Sequence, residues 1–148
     1  MDISGTRTKR LLDTINAHDL DAFAATFAVD YDSQQPVHPG RAFIGRATAR
    51  SHWANFFALV PDFQAEVLRF ARDGETEWAE WRWFGTQADG KPFEVRGVIL
   101  LGVRRSDGED EIAWGRLYME PVEAESPDHY AALGGRPAQA RRNEPEPE

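Results

Sequence analysis

Three Asp-Gly dipeptides, Asp73-Gly74, Asp89-Gly90 and Asp107-Gly108, divide the second half of the chain. Both residues tolerate the positive φ of tight hairpin turns, so each pair reads as a point where one strand reverses into the next. The runs between them are rich in aromatic and β-branched residues, at about Asp62–Arg72, Glu75–Gln87, Pro92–Arg104 and Glu111–Pro121. Four strands joined by such turns form an antiparallel meander. Before Pro61 the period is helical. Leu11, Leu12 and Ile15 mark one face of a helix from about Gly5 to Ala17. Asp19 is placed to cap a second helix carrying Leu20, Phe23 and Phe27. A Pro/Gly-rich connection, "SQQPVHPGRAFIG", leads to a third helix that starts near Gly45, bears Trp53, Phe56, Phe57 and Val60 along one stripe, and stops at Pro61. Helices followed by hairpins predict an α+β domain with the helices covering one face of the sheet.

At 148 residues the chain has the length of one domain, expected over residues 1–133. The stretch 134–148, "GGRPAQARRNEPEPE", has nothing larger than alanine to bury and is expected to be a disordered tail. The net charge of −8 argues against nucleic acid, whose phosphates need a basic surface. No apolar run is long enough to span a membrane, and "MDISGTRTKR" lacks the apolar stretch of a signal peptide, so a cytoplasmic protein is expected. The absence of cysteine excludes disulfides, thiol catalysis and thiolate metal sites. His18, His52 and His129 show no metal-ligand spacing, the serines at 4, 33, 51, 106 and 126 sit in no nucleophile motif, and no glycine-rich phosphate loop occurs. No metal or cofactor is expected.

The segment "WAEWRWFGT", Trp78 to Thr86, poses the main question. As a strand it places Glu80, Arg82 and Phe84 on one face and Trp81 and Trp83 on the other. If Asp89-Gly90 is a two-residue turn, Ala88 faces Lys91, which pairs Phe84 with Val95, Arg82 with Gly97 and Glu80 with Ile99. Gly97 beside Arg82 leaves volume that a close-packed core would fill, which predicts a cavity over Glu80 and Arg82. Leu117 and Met119 alternate with Trp114, Arg116, Tyr118 and Glu120, and form the natural inward pair of the last strand.

The order of these segments, a helical start, then "PGRAFIGRATARSHWANFFALVPDF", then a meander ending in "WGRLYMEPVE", resembles the nuclear transport factor two-like superfamily and, more narrowly, its SnoaL-like polyketide-cyclase branch. The resemblance covers about residues 8 to 123. It implies a cone-shaped, cystatin-like α+β barrel in which a strongly curved antiparallel sheet wraps three helices around a ligand cavity. It also implies a range of functions, from cyclases, epoxide hydrolases and ketosteroid isomerases to non-catalytic binders. "GRLYME" is similar to the last-strand motif of the epoxide hydrolases, with Arg116, Tyr118 and Glu120 matching, but the position of their catalytic aspartate holds Leu117. Their Arg-x-Asp pair falls at Glu80 and Arg82 with the charges reversed. The aspartate of the isomerase Asp-Pro-Val segment corresponds to Gln35, and an amide cannot abstract a proton.

Glu80, Arg82 and His38 are then the candidates for acid/base chemistry: Glu80 as general base, Arg82 as partner of a developing oxyanion, His38 through its near-neutral titration. The competing readings of Glu80 and Arg82 are a structural ion pair and plain solvent exposure. Gln35, Trp53, Phe84, Val95, Gly97, Leu117 and Met119 are the expected ligand pocket. Trp81, Trp83, Arg96, Trp114 and Tyr118 would form a sticky outer face, read as a homodimer interface against the alternative of a wet ladder with Trp83 over Arg96. Two functions follow: a cofactor-free cyclase, isomerase or hydrolase acting on an apolar carbonyl-containing or polycyclic substrate, or a non-catalytic binder of a small hydrophobic ligand. A transport-adaptor role has no feature in its favour beyond the resemblance.

Overall fold

The computed structural model describes residues 1–123; the expected tail at 134–148 lies outside them. The elements run α1 (Arg7–Asn16), α2 (Leu20–Ala25), β1 (Phe27–Gln34), a 3₁₀ turn (Pro39–Arg41), β2 (Phe43–Ile44), α3 (Arg46–Leu59), β3 (Gln64–Asp73), β4 (Thr76–Thr86), β5 (Pro92–Ser106) and β6 (Glu109–Pro121). The strands form one curved, unclosed sheet in the order β2-β1-β6-β5-β4-β3, giving an α+β cone with the helices inside the curve. The expected antiparallel sheet has one exception, because β1 runs parallel to β6.

Local sequence sets the helix ends. Thr6 accepts the Lys9 N–H at the start of α1 and Asp19 accepts the Ala22 N–H at the start of α2, each satisfying an otherwise orphaned donor. Glu77 of β4 is 1% exposed, and its carboxylate accepts from the Arg7 N–H at 3.1 Å and from the Thr8 N–H and hydroxyl, each at 2.8 Å. It binds the positive end of α1 to the sheet.

Two strands were not legible in the sequence. Phe27, expected on α2, instead opens β1, and the connection after it contains β2, which pairs with β1 at Asp32–Ile44 and Ser33–Phe43. The helical spacing of Phe23 and Phe27 has a different cause. Both rings pack into the same core, 5.0 Å apart, across the junction between α2 and β1.

The largest correction concerns β4. The Gln87 N–H donates to the Lys91 carbonyl and the Gly90 N–H to the Gln87 carbonyl, both at 2.8 Å, with Gly90 at φ 87°. The loop is therefore Ala88-Asp89-Gly90, a turn closed by a left-handed glycine, one residue longer than expected. Pairing slips by one: Trp81 faces Gly97, Trp83 faces Val95, and Arg82 faces Arg96. Because side chains alternate, one residue of slip exchanges the faces matched across the pair. The inward set of β5, with Val95 and Ile99, meets the two tryptophans. Trp81 is 1% and Trp83 6% exposed, while Glu80, Arg82 and Phe84 lie on the outer face. The physical preference is plain: two indoles gain far more from burial than a glutamate and an arginine that outer-face partners can satisfy.

Gly97 also has a different use from the one expected. A Cβ there would run into the Tyr118 carbonyl, so this glycine lets β6 close against β5 rather than opening space for a ligand.

Candidate functional site: an aromatic cavity

The helices and sheet leave a cavity of about 460 Å³, the size that holds a drug-sized organic molecule. Its buried wall comes from β1, through Phe27, Tyr31 and Ser33, and from Ala49 of α3, Trp83 of β4 and Met119 of β6. Val95, Leu117 and Phe93 continue the sheet side. Trp53 holds the helical side, with its ring centroid 5.1 Å from Trp83, 5.0 Å from Phe23 and 5.4 Å from Phe63. The rim carries exposed groups: Arg41 from the 3₁₀ turn, His52, Asn55 and Leu59 from α3, and Pro121 at the end of β6.

The polar groups on the wall are mostly neutral. Burial pushes the Tyr31 phenol up to about 12, outweighing the lowering effects of the Ser33 hydrogen bond and the Arg116 charge. Tyr31 is therefore protonated at neutral pH and can donate a hydrogen bond but cannot act as a base. His52 packs edge-on against Phe43, with centroids 4.7 Å apart. Arg41 donates to the Gln35 side-chain oxygen at 3.1 Å. Among the described residues no aspartate or glutamate lines the cavity, and no group of three histidine or acidic side chains is arranged to hold a metal ion.

Of the residues expected in the pocket, Gln35, Trp53, Val95, Leu117 and Met119 line the cavity; Phe84 and Gly97 do not. The three expected for acid/base chemistry are elsewhere. Glu80 and Arg82 do not pair with each other. Glu80 lies 3.6 Å from Arg69, and Arg82 reaches Glu66 at 3.6 Å and Glu94 at 3.4 Å, on the outer face. Hydrogen bonds from Arg82 and then Arg96 hold the Glu94 carboxyl below its ordinary range. His38 Nε2 sits 2.5 Å from Glu120 Oε1, which ties the 3₁₀ turn to the end of β6 outside the cavity walls.

The expected interface also changes. Trp81 and Trp83 are core residues and cannot meet a partner, whereas Arg96 and Tyr118 are exposed and Trp114 lies half-buried under Arg116, 5.1 Å from its guanidinium. The sequence reading missed Tyr31, Ser33, Arg41 and His52 as cavity groups. The available signal was the alternation of Tyr31, Ser33 and Gln35, which the Pro/Gly-rich run beginning at Ser33 masks.

A half-open cone of this kind, with a bent six-stranded sheet and helices over an aromatic cavity, defines a class of cone-shaped α+β domains. The SnoaL-like domain model matches residues 8–113, and the chain belongs to that family, within the nuclear transport factor two-like superfamily. No curated protein sequence matches the chain. Solved structures agree in fold. A protein provisionally assigned as an aromatic ring hydroxylase from Novosphingobium aromaticivorans superposes with a TM-score of 0.66 at 19% identity, covering 78% of this chain and 88% of that one. A provisionally assigned SnoaL-like polyketide cyclase from Jannaschia sp. CCS1 gives 0.63 at 22% identity, covering 77% and 83%. A protein of ketosteroid isomerase-like fold from Catenulispora acidiphila, solved with trimethylamine, gives 0.64 at 18% identity, covering 91% and 96%.

Proposed function

We propose that this protein binds a small, largely apolar ring compound inside the cone and holds it without turnover. The observation that carries this reading is the make-up of the cavity: a wall of aromatic and aliphatic side chains in which, among the described residues, no carboxylate stands ready to act as a general base. The test uses methyl 2-naphthoate as a neutral aromatic probe and follows quenching of the cavity tryptophans. Saturable binding is expected, and Val95→Trp, which projects a further large ring into the space, should abolish it while the melting temperature stays close to that of the parent. No saturable quenching, or equal binding by the filled variant, refutes the reading.

His52 favours a second reading, acid/base catalysis, because it is a cavity group whose imidazole can accept or donate a proton, with Tyr31 available to donate a hydrogen bond to a carbonyl. Turnover of a carbonyl substrate that is lost in His52→Gln would support it; turnover unaffected by that change would remove it.

We also propose that the outer face pairs with a second copy. Trp78 at 44%, Tyr118 at 42% and Leu68 at 38% exposure are set among the Glu66, Arg82, Glu94 and Arg96 charges. Sedimentation should give twice the 16.7 kDa chain mass, and Tyr118→Glu should return it to one; a parent that sediments as a monomer excludes the pairing.

A further inference from the structure

We infer that the cavity is selective for organic anions, and specifically for an apolar ring carrying a carboxylate that docks at Arg41. The inference rests on the pocket reading above and adds the ligand's charge. The chain carries 25 acidic against 17 basic residues, yet among the described residues the cavity wall includes no acidic side chain, and its one permanent charge is the Arg41 guanidinium. The carboxylates are elsewhere: Glu66, Glu80 and Glu94 pair with arginines on the outer face of the sheet, and Glu77 is fixed to the start of α1. A cationic ligand would find no counter-charge on this wall.

Arg41 is suited to the opposite role. Arg50, Arg69, Arg82, Arg96, Arg104 and Arg105 each reach a carboxylate within salt-bridge distance. Arg41 instead donates to the neutral Gln35 oxygen at 3.1 Å. That bond uses one of its five N–H donors, and the planar fork that remains matches a carboxylate. The support beneath it is built. Arg41 ends the 3₁₀ turn that follows His38, and the contact between His38 and Glu120 holds that turn to β6 beside Pro121 on the rim. The ring of the ligand would lie against Trp53, Phe56 and Trp83, with its acid group at the mouth. The net charge of −8 repels anions at long range, so preference for an acid over its ester would have to arise locally.

The experiment compares 2-naphthoate with methyl 2-naphthoate by tryptophan quenching and calorimetry in the parent protein, in Arg41→Gln and in Arg41→Lys. Charge-assisted hydrogen bonds predict that the acid binds about ten-fold tighter than the ester, or better. Arg41→Gln should bring the acid down to the level of the ester, and Arg41→Lys should restore part of the preference. Equal affinities in the parent, or a preference that survives Arg41→Gln, overturns the inference and leaves the pocket reading standing. If neither compound binds, both fail.

Discussion

Removing the Glu77 side chain should be among the most damaging single changes in the molecule, although nothing in the sequence marks this residue. The carboxylate is 1% exposed and accepts three hydrogen bonds from the first turn of α1, two of them from backbone N–H groups that no helical carbonyl can serve. Glu77→Ala leaves the Arg7 and Thr8 N–H groups and the Thr8 hydroxyl without their acceptor. At about 1–3 kcal/mol for each stranded buried group the nominal loss is about 3–9 kcal/mol. The half-buried position of Arg7 lets water reach part of the gap, which brings the expectation to about 3–5 kcal/mol. Glu77→Gln keeps the shape and the oxygen facing Thr8, but loses the charge beside the positive end of the helix and turns an amide donor toward the Arg7 N–H. Its cost should be about 1–3 kcal/mol. Urea denaturation followed by tryptophan fluorescence gives both values from the midpoint shift at unchanged slope, with the exposed Glu75→Gln as a control near zero. For a chain of this size the alanine variant should melt roughly 6–20 °C lower. A loss below about 1 kcal/mol in Glu77→Ala, or equal losses in the alanine and glutamine variants, would refute the assignment of Glu77 as the anchor of α1.

Two further predictions concern the cavity wall and the sheet. The Tyr31 phenol is raised from 10.0 to about 12, so its contribution to stability is complete below pH 10.0 and is lost as pH rises through about 12. That difference corresponds to about 3 kcal/mol. Tyr31→Phe should therefore remove the late step of the phenolate absorbance titration and flatten the alkaline loss of stability; a late step that persists in the variant rules out Tyr31 as its source. Trp81→Ala should cost about 3–5 kcal/mol and Arg82→Ala under about 1 kcal/mol, since one is core and the other an outer-face ion-pair partner; the reverse order in denaturation would show that β4 faces the other way.

The parts of the fold that could be read from the sequence are those with strong local signals. Leu11 and Ile15 at helical spacing, Asp19 as a cap, Pro61 as a stop and the Asp-Gly turns each specify backbone geometry by themselves, and each lies at or near the expected place. Asp107-Gly108 forms a two-residue turn with both φ values positive, at 51° and 80°. β1 was concealed because its longer pairing is with β6, far away in the chain and parallel, while its pairing with β2 spans only Asp32–Ile44 and Ser33–Phe43, so neither leaves a hairpin signature. The cavity was half legible for a related reason. The inward faces of β5 and β6 follow from apolar alternation, so Val95, Leu117 and Met119 could be placed. On β4 both alternating sets contain aromatics, and only the length of the Ala88-Asp89-Gly90 loop decides which set meets the inward face of β5. Arg41 and His52 reach the rim through a turn and a helix that carry no chemical motif, so only the three-dimensional path brings them together.

The orientation of β4 also decides which side chains can act on a bound ligand. For Glu80 to reach the cavity, β4 would have to turn over, exposing Trp81 and Trp83 and burying Glu80 and Arg82. Each indole buries roughly 150–250 Å², or about 4–6 kcal/mol at 25 cal/mol per Å². Each charge moved inside adds several kcal/mol of desolvation, and the Arg82 contacts to Glu66 and Glu94 would be lost as well. Together these terms reach or exceed the total stability of about 5–15 kcal/mol that a domain of this kind possesses. A flipped strand is therefore equivalent to an unfolded protein, and no native fluctuation presents Glu80 to the cavity. If turnover is ever detected, Glu80→Gln should leave the rate per folded molecule unchanged. A fall of about 10²-fold or more in that variant, the scale of a lost general base, would contradict the placement of β4.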